Sequence, residues 1–310
     1  MGMLGNLVVV AVLLALIKPV RYVYNNFLPE KVLHKLVRFW DKVFLAIIWI
    51  FAGMTVAALG FIIFHVLSNG LPHLTIPGLF SFDAPPETVT LIPAIVSTFI
   101  MVALVLLIAV PLGVLSAVFL VEYTGAGNKF VTIIRSAAEV LAGIPSIVYG
   151  LFGMMFFRVF LGLGMSVLSG TLTMSIMMLP LIMRTTEEAL KAVPMTYREA
   201  SFALGAGKLR TVFRIVLPSA IPGILAGVIL AIGRVVGESA ALIFTAGALL
   251  EPRIPSGLFD TASTLTVHMW QLSNYGRFMN ETYAAAVVLL IIVLLLNALS
   301  AFIARKFSKV

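Results

Sequence analysis

The chain has 310 residues, 61% of them hydrophobic and 11% charged, with a mean hydropathy of +1.12. Soluble domains carry roughly a quarter charged residues, so most of this surface need not face water, and long unbroken apolar runs exclude the alternating ten-residue segments of a β-barrel. The formal charge of +8 sits between the apolar runs, which ties it to membrane topology rather than to nucleic acid, and the absence of cysteine excludes disulfides and thiolate metal sites.

Backbone groups in lipid must be satisfied within the spanning segment, so the apolar runs are expected to be helices. The first run, residues 3–17, is short for a span and lacks the basic start and cleavage site of a signal peptide. It is expected to be an extra N-terminal membrane helix; the alternative is an apolar segment lying on the membrane or on the main bundle. Six further spans follow, at roughly 43–67, 92–121, 137–157, 165–183, 218–248 and 283–304. The predicted organisation is an N-terminal apolar segment with a basic linker over 1–42, then one transmembrane domain over 43–310. Pro145 and Pro180 fall within spans and are expected to kink them. Glu139 is expected near the cytoplasmic start of its helix, where the dipole favours a negative charge. The methionines at 154, 155, 174, 177 and 178 are expected to pack rather than to ligate. The four histidines lack metal-ligand spacing.

Charge alternates along the chain. Segment 18–42 carries Lys18, Arg21, Lys31, Lys35, Arg38 and Lys42; segment 68–91 carries no Lys or Arg. Lys129 and Arg135 mark 122–136, and only Arg158 lies in 158–164. Segment 184–217 carries Arg184, Lys191, Arg198, Lys208, Arg210 and Arg214, and the tail ends in Arg305, Lys306 and Lys309. The positive-inside rule puts these basic segments in the cytoplasm. The external segment 249–282 contains FDTASTLTVHMWQLSNYG, a mixture suited to a short interfacial helix or a lid.

The cytoplasmic loop has its own helical signals. Thr185 or Thr186 is placed to cap a first helix with Glu187 and Glu188 in its first turn. Pro194 should end it, Thr196 should cap a second helix, and Gly205 should stop that one. Phe202 and Leu204 would then be apolar groups on a polar loop, which either pack on the bundle or enter a partner's groove. The run Gly205-Ala206-Gly207-Lys208 is not a phosphate-binding P-loop: Phe202 stands where the first glycine is needed, and Leu209 follows the lysine.

Glu199-Ala200-Ser201, Gly205, Ile215, Leu217 and Pro218 keep the full spacing of the EAA loop of ABC-importer permeases, with Ser201 replacing the second alanine. GIPSIVYGLFG (143–153), LPLIMRTTEEALKAVP (179–194) and GRVVGESAALIFTAGA (233–248) resemble the phosphate-specific ABC permeases, the PstA-type subunit more than its PstC-type partner. The resemblance covers about residues 43–304. It implies an all-α, polytopic membrane protein with a six-helix, MetI-like type I permease core. It also implies a non-catalytic subunit that pairs with a homologous second permease of PstC type and with two cytoplasmic ATPase subunits, and that receives phosphate from an external binding protein. Glu199, Ala200 and Gly205 would contact the ATPase. No cofactor is expected in this chain; ATP and Mg would be used by the ATPase. The partners are these subunits and the lipid bilayer of a bacterial or archaeal plasma or inner membrane, with no nucleic acid.

One span carries a charged pair. Arg234 lies about 16 residues into it, roughly 24 Å along the helix and near mid-membrane. The four-residue offset to Glu238 would place both on one helix face. Either they form a structural salt bridge, or Arg234 faces the translocation path with Glu238 holding it in position. The arginine fork suits phosphate, and the glutamate would keep the site from trapping its anion. Arg184 is either a second path residue or a positive-inside anchor. Thr171, Thr173 and Ser175 either line the same route or bond their own helix. Gly223 with Gly227, and Gly233 with Gly237, form stripes that would let another helix approach. The rival expectations are a permease for another oxyanion such as molybdate or sulfate, the PstC-type partner itself, or a stand-alone channel or secondary transporter.

Overall fold

The computed structural model describes residues 30–82, 89–124, 129–276 and 278–307; the run at 3–17 lies outside them. Every regular element among the described residues is helical. Five helices are long and apolar enough to cross a membrane, and a bent pair makes a sixth. That agrees with the six expected spans of the core, although several of their ends differ.

The first helix, α1 (Glu30–Gly70), has 41 residues. At 1.5 Å per residue it is about 60 Å long, twice the hydrocarbon thickness; it begins well before the expected start at 43 and ends close to the expected end at 67. Residues up to His65 belong to a unit of their own, whose described part is this helix. Its Phe44, Trp49, Phe51, Phe61 and Phe64 are all exposed. A helix that is apolar all round is suited to lipid as its solvent.

The second unit, 66–310, holds the remaining helices. Helix α2 (Ile92–Val118) begins with Pro93, where no N–H is needed, and closes in a π turn over Phe119–Tyr123. The expected span 137–157 is instead two helices, α3 (Lys129–Ala142) and α4 (Ser146–Gly153), the latter running on as a π turn to Phe160. They meet at 100°. Gly143 and Pro145 end one helix, and Pro145 is extended at ψ 143°. The Tyr149 hydroxyl donates to Leu141 O at 2.8 Å and so ties α4 to α3 across the corner. Glu139 therefore falls near the end of α3, eleven positions into a helix that starts at Lys129, and the expected dipole argument does not apply to it.

Helix α5 (Val167–Ala192) is capped by Ser166, whose hydroxyl accepts from Ser169 N–H at 3.1 Å. It keeps Pro180 within its run and continues past residue 183, so Thr185 and Thr186 lie inside it and cap nothing. Polar residues end a hydropathy run without ending a helix. After the loop, α6 (Met195–Ala203) precedes α7 (Lys208–Thr211), a π turn over Val212–Val216, and α8 (Leu217–Gly237). Helix α9 (Ala240–Thr245), α10 (Leu265–Tyr275) and α11 (Met279–Phe307) complete the order. The expected span 218–248 is thus broken at Gly237, and α10 is the short helix expected in the external segment.

Helices α2, α5 and α8 pack against one another around Met101, Val105, Met174, Met178 and Ile182. Small residues allow the approach. A Cβ at Gly223 would lie 2.6 Å from the Ala189 Cβ, and one at Gly227 would overlap Thr185 Oγ1. This stripe behaves as expected, whereas Gly237 has no neighbour within 4 Å and Gly233 meets only Asn297 Oδ1 at 4.0 Å. Gly227→Leu is expected to force α5 and α8 apart at a cost of about 1–3 kcal/mol. The unfolding midpoint of the purified complex should fall, and an unchanged midpoint would contradict the close approach.

Candidate functional site

The loop between α5 and α8 is built by two local breaks. Val193 and Pro194 are extended, with ψ of 125° and 139°, so α5 stops and α6 starts afresh without a side-chain cap. Thr196 lies within α6 and does not cap it. Gly205 ends α6 as expected. Its φ is +78°, its N–H donates to Phe202 O at 2.9 Å, and Ala206 N–H donates to Ser201 O at 3.1 Å. These two bonds form the Schellman closure that satisfies the last carbonyls of a helix.

Helix α6 then shows two different faces. Glu199, Ala200 and Gly205 are exposed, together with Met195, Phe202 and Leu204, the last at 89%. Arg198 and Ser201 are buried. The Ser201 hydroxyl lies 2.8 Å from Thr211 Oγ1, so the residue that departs from alanine fastens α6 to α7. Arg198 is paired with Glu122 of the π turn that ends α2. Neither residue stood out in the sequence: Arg198 counted as one more topology charge, and the two lie 76 positions apart.

A second set of charges gathers where α3 meets α5. Buried Glu187 binds both Arg135 of α3 and Lys191, the latter at 2.9 Å. Arg184 donates from Nε to Glu188 Oε1 at 3.3 Å, with both side chains about two-thirds exposed. An exposed pair of this kind contributes little to stability. These residues and Glu139 line a cavity of about 210 Å³.

Arg234 occupies the last turn of α8, is exposed, and has no ion pair or hydrogen bond among the described residues. The expected Arg234–Glu238 pair is not formed. The four-residue rule needs a helix that continues, and α8 ends at Gly237. Glu238 is extended, at ψ 128°, and its Oε1 accepts from Ala241 N–H at 3.1 Å. That carboxylate caps α9 instead of neutralising Arg234. The broken end of α8 is covered: Thr266 Oγ1 donates to Val236 O at 2.6 Å. Thr98 Oγ1 accepts from Leu265 N–H at 2.8 Å and anchors the start of α10. Irregular backbone at such a break is tolerated in a membrane only where protein buries it or it lines a cavity.

Arg184 and Arg234 are not brought together. Thr185 faces Gly227 across the antiparallel α5–α8 contact, and Arg234 lies seven residues further on, about 10 Å along the axis. Of the hydroxyls, Thr173 donates to its own helix at Ser169 O, 2.8 Å, and Thr171 to Met101 Sδ at 3.4 Å, so both serve packing; Ser175 Oγ is buried without a partner among the described residues.

Comparison with known proteins gives the following. The family model described as binding-protein-dependent transport system inner membrane component matches residues 109–309. The probable ABC transporter permease protein YqgI of Bacillus subtilis is 40% identical over 216 residues, covering 65% of this chain and 73% of that one. The phosphate transport system permease protein PstA of Mycobacterium leprae is 39% identical over 212 residues, covering 67% of this chain and 68% of that one. Among solved structures, a chain of the MetNI methionine ABC transporter in an inward-facing conformation is similar with a TM-score of 0.55 at 24% identity, covering 68% of this chain and 91% of that one. That last likeness supports the MetI-like fold of the helical core.

Proposed function

We propose that this chain, which belongs to the family of binding-protein-dependent transport system inner membrane components, is the permease subunit of an ATP-driven importer of inorganic phosphate. It is a multi-pass inner-membrane subunit of a non-catalytic class, and it forms half of the translocation path. A homologous PstC-type permease forms the other half. Two cytoplasmic ATPase subunits bind and hydrolyse ATP with Mg, and an external binding protein delivers phosphate. The chain itself takes no cofactor.

The observation that carries the cargo assignment is the bare guanidinium of Arg234 at the broken end of α8. It has no counter-charge among the described residues, and a charge within a spanning helix calls for an anion or water beside it. Its planar fork donates two parallel bonds to a phosphate oxygen pair. Glu238 fixes the turn that follows, and Arg184, about two turns towards the loop, is the next cation on the route. The exposed face of α6, with Glu199, Ala200 and Gly205, is where the ATPase docks. Its stroke reorients the helices around Arg234, so the chain alternates access and breaks no bond.

The test is uptake by the reconstituted complex in liposomes with competing anions. ATP-dependent accumulation of phosphate, resistant to excess sulfate and molybdate, is expected. Uptake that either competitor abolishes at equal concentration would assign the path to another oxyanion. Uphill transport by the lone chain without nucleotide would overturn the importer reading altogether.

A further inference from the structure

Helix α6 is joined to its neighbours in sequence by two weak joints. On one side are the extended residues Val193 and Pro194; on the other is Gly205-Ala206-Gly207, with positive φ at Gly205. Ser201 ties this helix to α7 through Thr211 at 2.8 Å, but its backbone joints on their own leave it free to turn away from α2 and α5 under a push. The guanidinium of Arg198 closes that gap. Its Nε and Nη2 donate to Glu122 Oε1 at 3.1 and 2.6 Å, on the turn that ends α2. Nη1 donates to Val193 O at 2.9 Å, just past α5, and Nη2 to Leu190 O at 3.0 Å, in the terminal turn of α5. The two side chains are 9% and 8% exposed, so water hardly competes for these bonds.

The chemistry fits a permanent joint. Leu190 O, in the last turn of α5, accepts only a long bond from Val193 N–H at 3.4 Å besides Arg198, and a cation there complements the helix dipole. Only an arginine presents donors in a fixed fork to one carboxylate and two carbonyls together. Although α2 lies far from α6 in sequence, the Glu122 carboxylate links it directly to α6, and Lys208 over the Tyr123 ring, 5.3 Å from its centroid, links it to α7. The same side chain that holds α6 is turned away from the exposed face at Glu199 and Ala200.

We propose that Arg198 and Glu122 form the clamp that carries force from α6 to the membrane helices, so that a displacement of α6 moves the cytoplasmic ends of α2 and α5 as one body. Both act as positioning residues and touch no cargo. The inference rests on the docking of an ATPase at α6 described above. Glu122→Gln is the test, in the complete importer reconstituted with its ATPase and binding protein, because it leaves every residue of α6 in place. ATP hydrolysis should persist while the phosphate accumulated per ATP hydrolysed falls about tenfold. Arg198→Lys, which keeps the charge but not the fork, should give an intermediate ratio. An unchanged ratio in Glu122→Gln overturns the clamp. Hydrolysis and uptake that fall in proportion also overturn it, since that pattern reports lost docking or folding and not lost transmission. A wild-type complex without ATP-driven uptake overturns the clamp together with the reading it rests on, and is told apart by failing before any substitution is made.

Discussion

Arg234→Gln is expected to lower phosphate uptake by about 100-fold or more while the complex still assembles. A hydrogen bond to a charged group contributes about 1.5–3 kcal/mol, and each 1.4 kcal/mol is tenfold, so losing a two-bond fork removes two decades or more. Glutamine keeps a neutral donor of similar reach but no charge. Assembly should survive because Arg234 has no ion pair or hydrogen bond among the described residues, so its removal orphans no buried partner among them. Arg234→Lys separates charge from geometry. It retains the cation as a point charge without the planar fork, and its uptake should fall between the two. The measurement is initial uptake rate per mole of purified complex. A Gln variant within threefold of wild type would take Arg234 out of the path, whatever its effect on stability.

The sequence carried the fold further than it carried the site, for identifiable reasons. Apolar runs of about 20 residues declare a span locally, and five of the six expected core spans contain a long apolar helix. Pro145 announced a kink, but the size of the bend depends on how α4 returns, which the Tyr149 bond to Leu141 O fixes from outside the break. Helix ends were less legible where polarity and helicity part company. Arg184, Glu187, Glu188 and Lys191 end an apolar run yet satisfy one another on a continuing helix. Gly205 was legible because a left-handed stop is a local requirement. Glu238 was not, because the four-residue rule holds only inside a helix and Gly237 ends this one. Arg198 and Glu122 left no periodic trace: their meeting is a property of the tertiary arrangement, and each on its own looks like an ordinary charge at a membrane edge.

Gly205→Val is expected to uncouple or release the ATPase without unfolding the permease. The φ of +78° at Gly205 is open to glycine but costs other L-residues about 1–2 kcal/mol, and a β-branched side chain suffers most. If that strain is relieved by unwinding the Schellman closure, the exposed face at Glu199 and Ala200 is no longer held in one geometry. At 1.4 kcal/mol per decade, docking weakens about five- to thirtyfold from backbone strain alone. The permease should remain folded, since a Cβ at Gly205 would meet no atom of the described residues within 4 Å. That open space also lets strain and occlusion be told apart. Asparagine tolerates the left-handed region, so Gly205→Asn relieves the backbone yet still offers a side chain to whatever docks. Recovery of ATPase binding in Asn but not Val would assign the loss to strain. Loss in both would place the partner's surface directly over Gly205. Co-purification and ATP hydrolysis by the assembled complex measure the two together. Wild-type behaviour in both variants would remove this end of α6 from the coupling contact, and with it the reason for an exposed left-handed glycine beside Leu204.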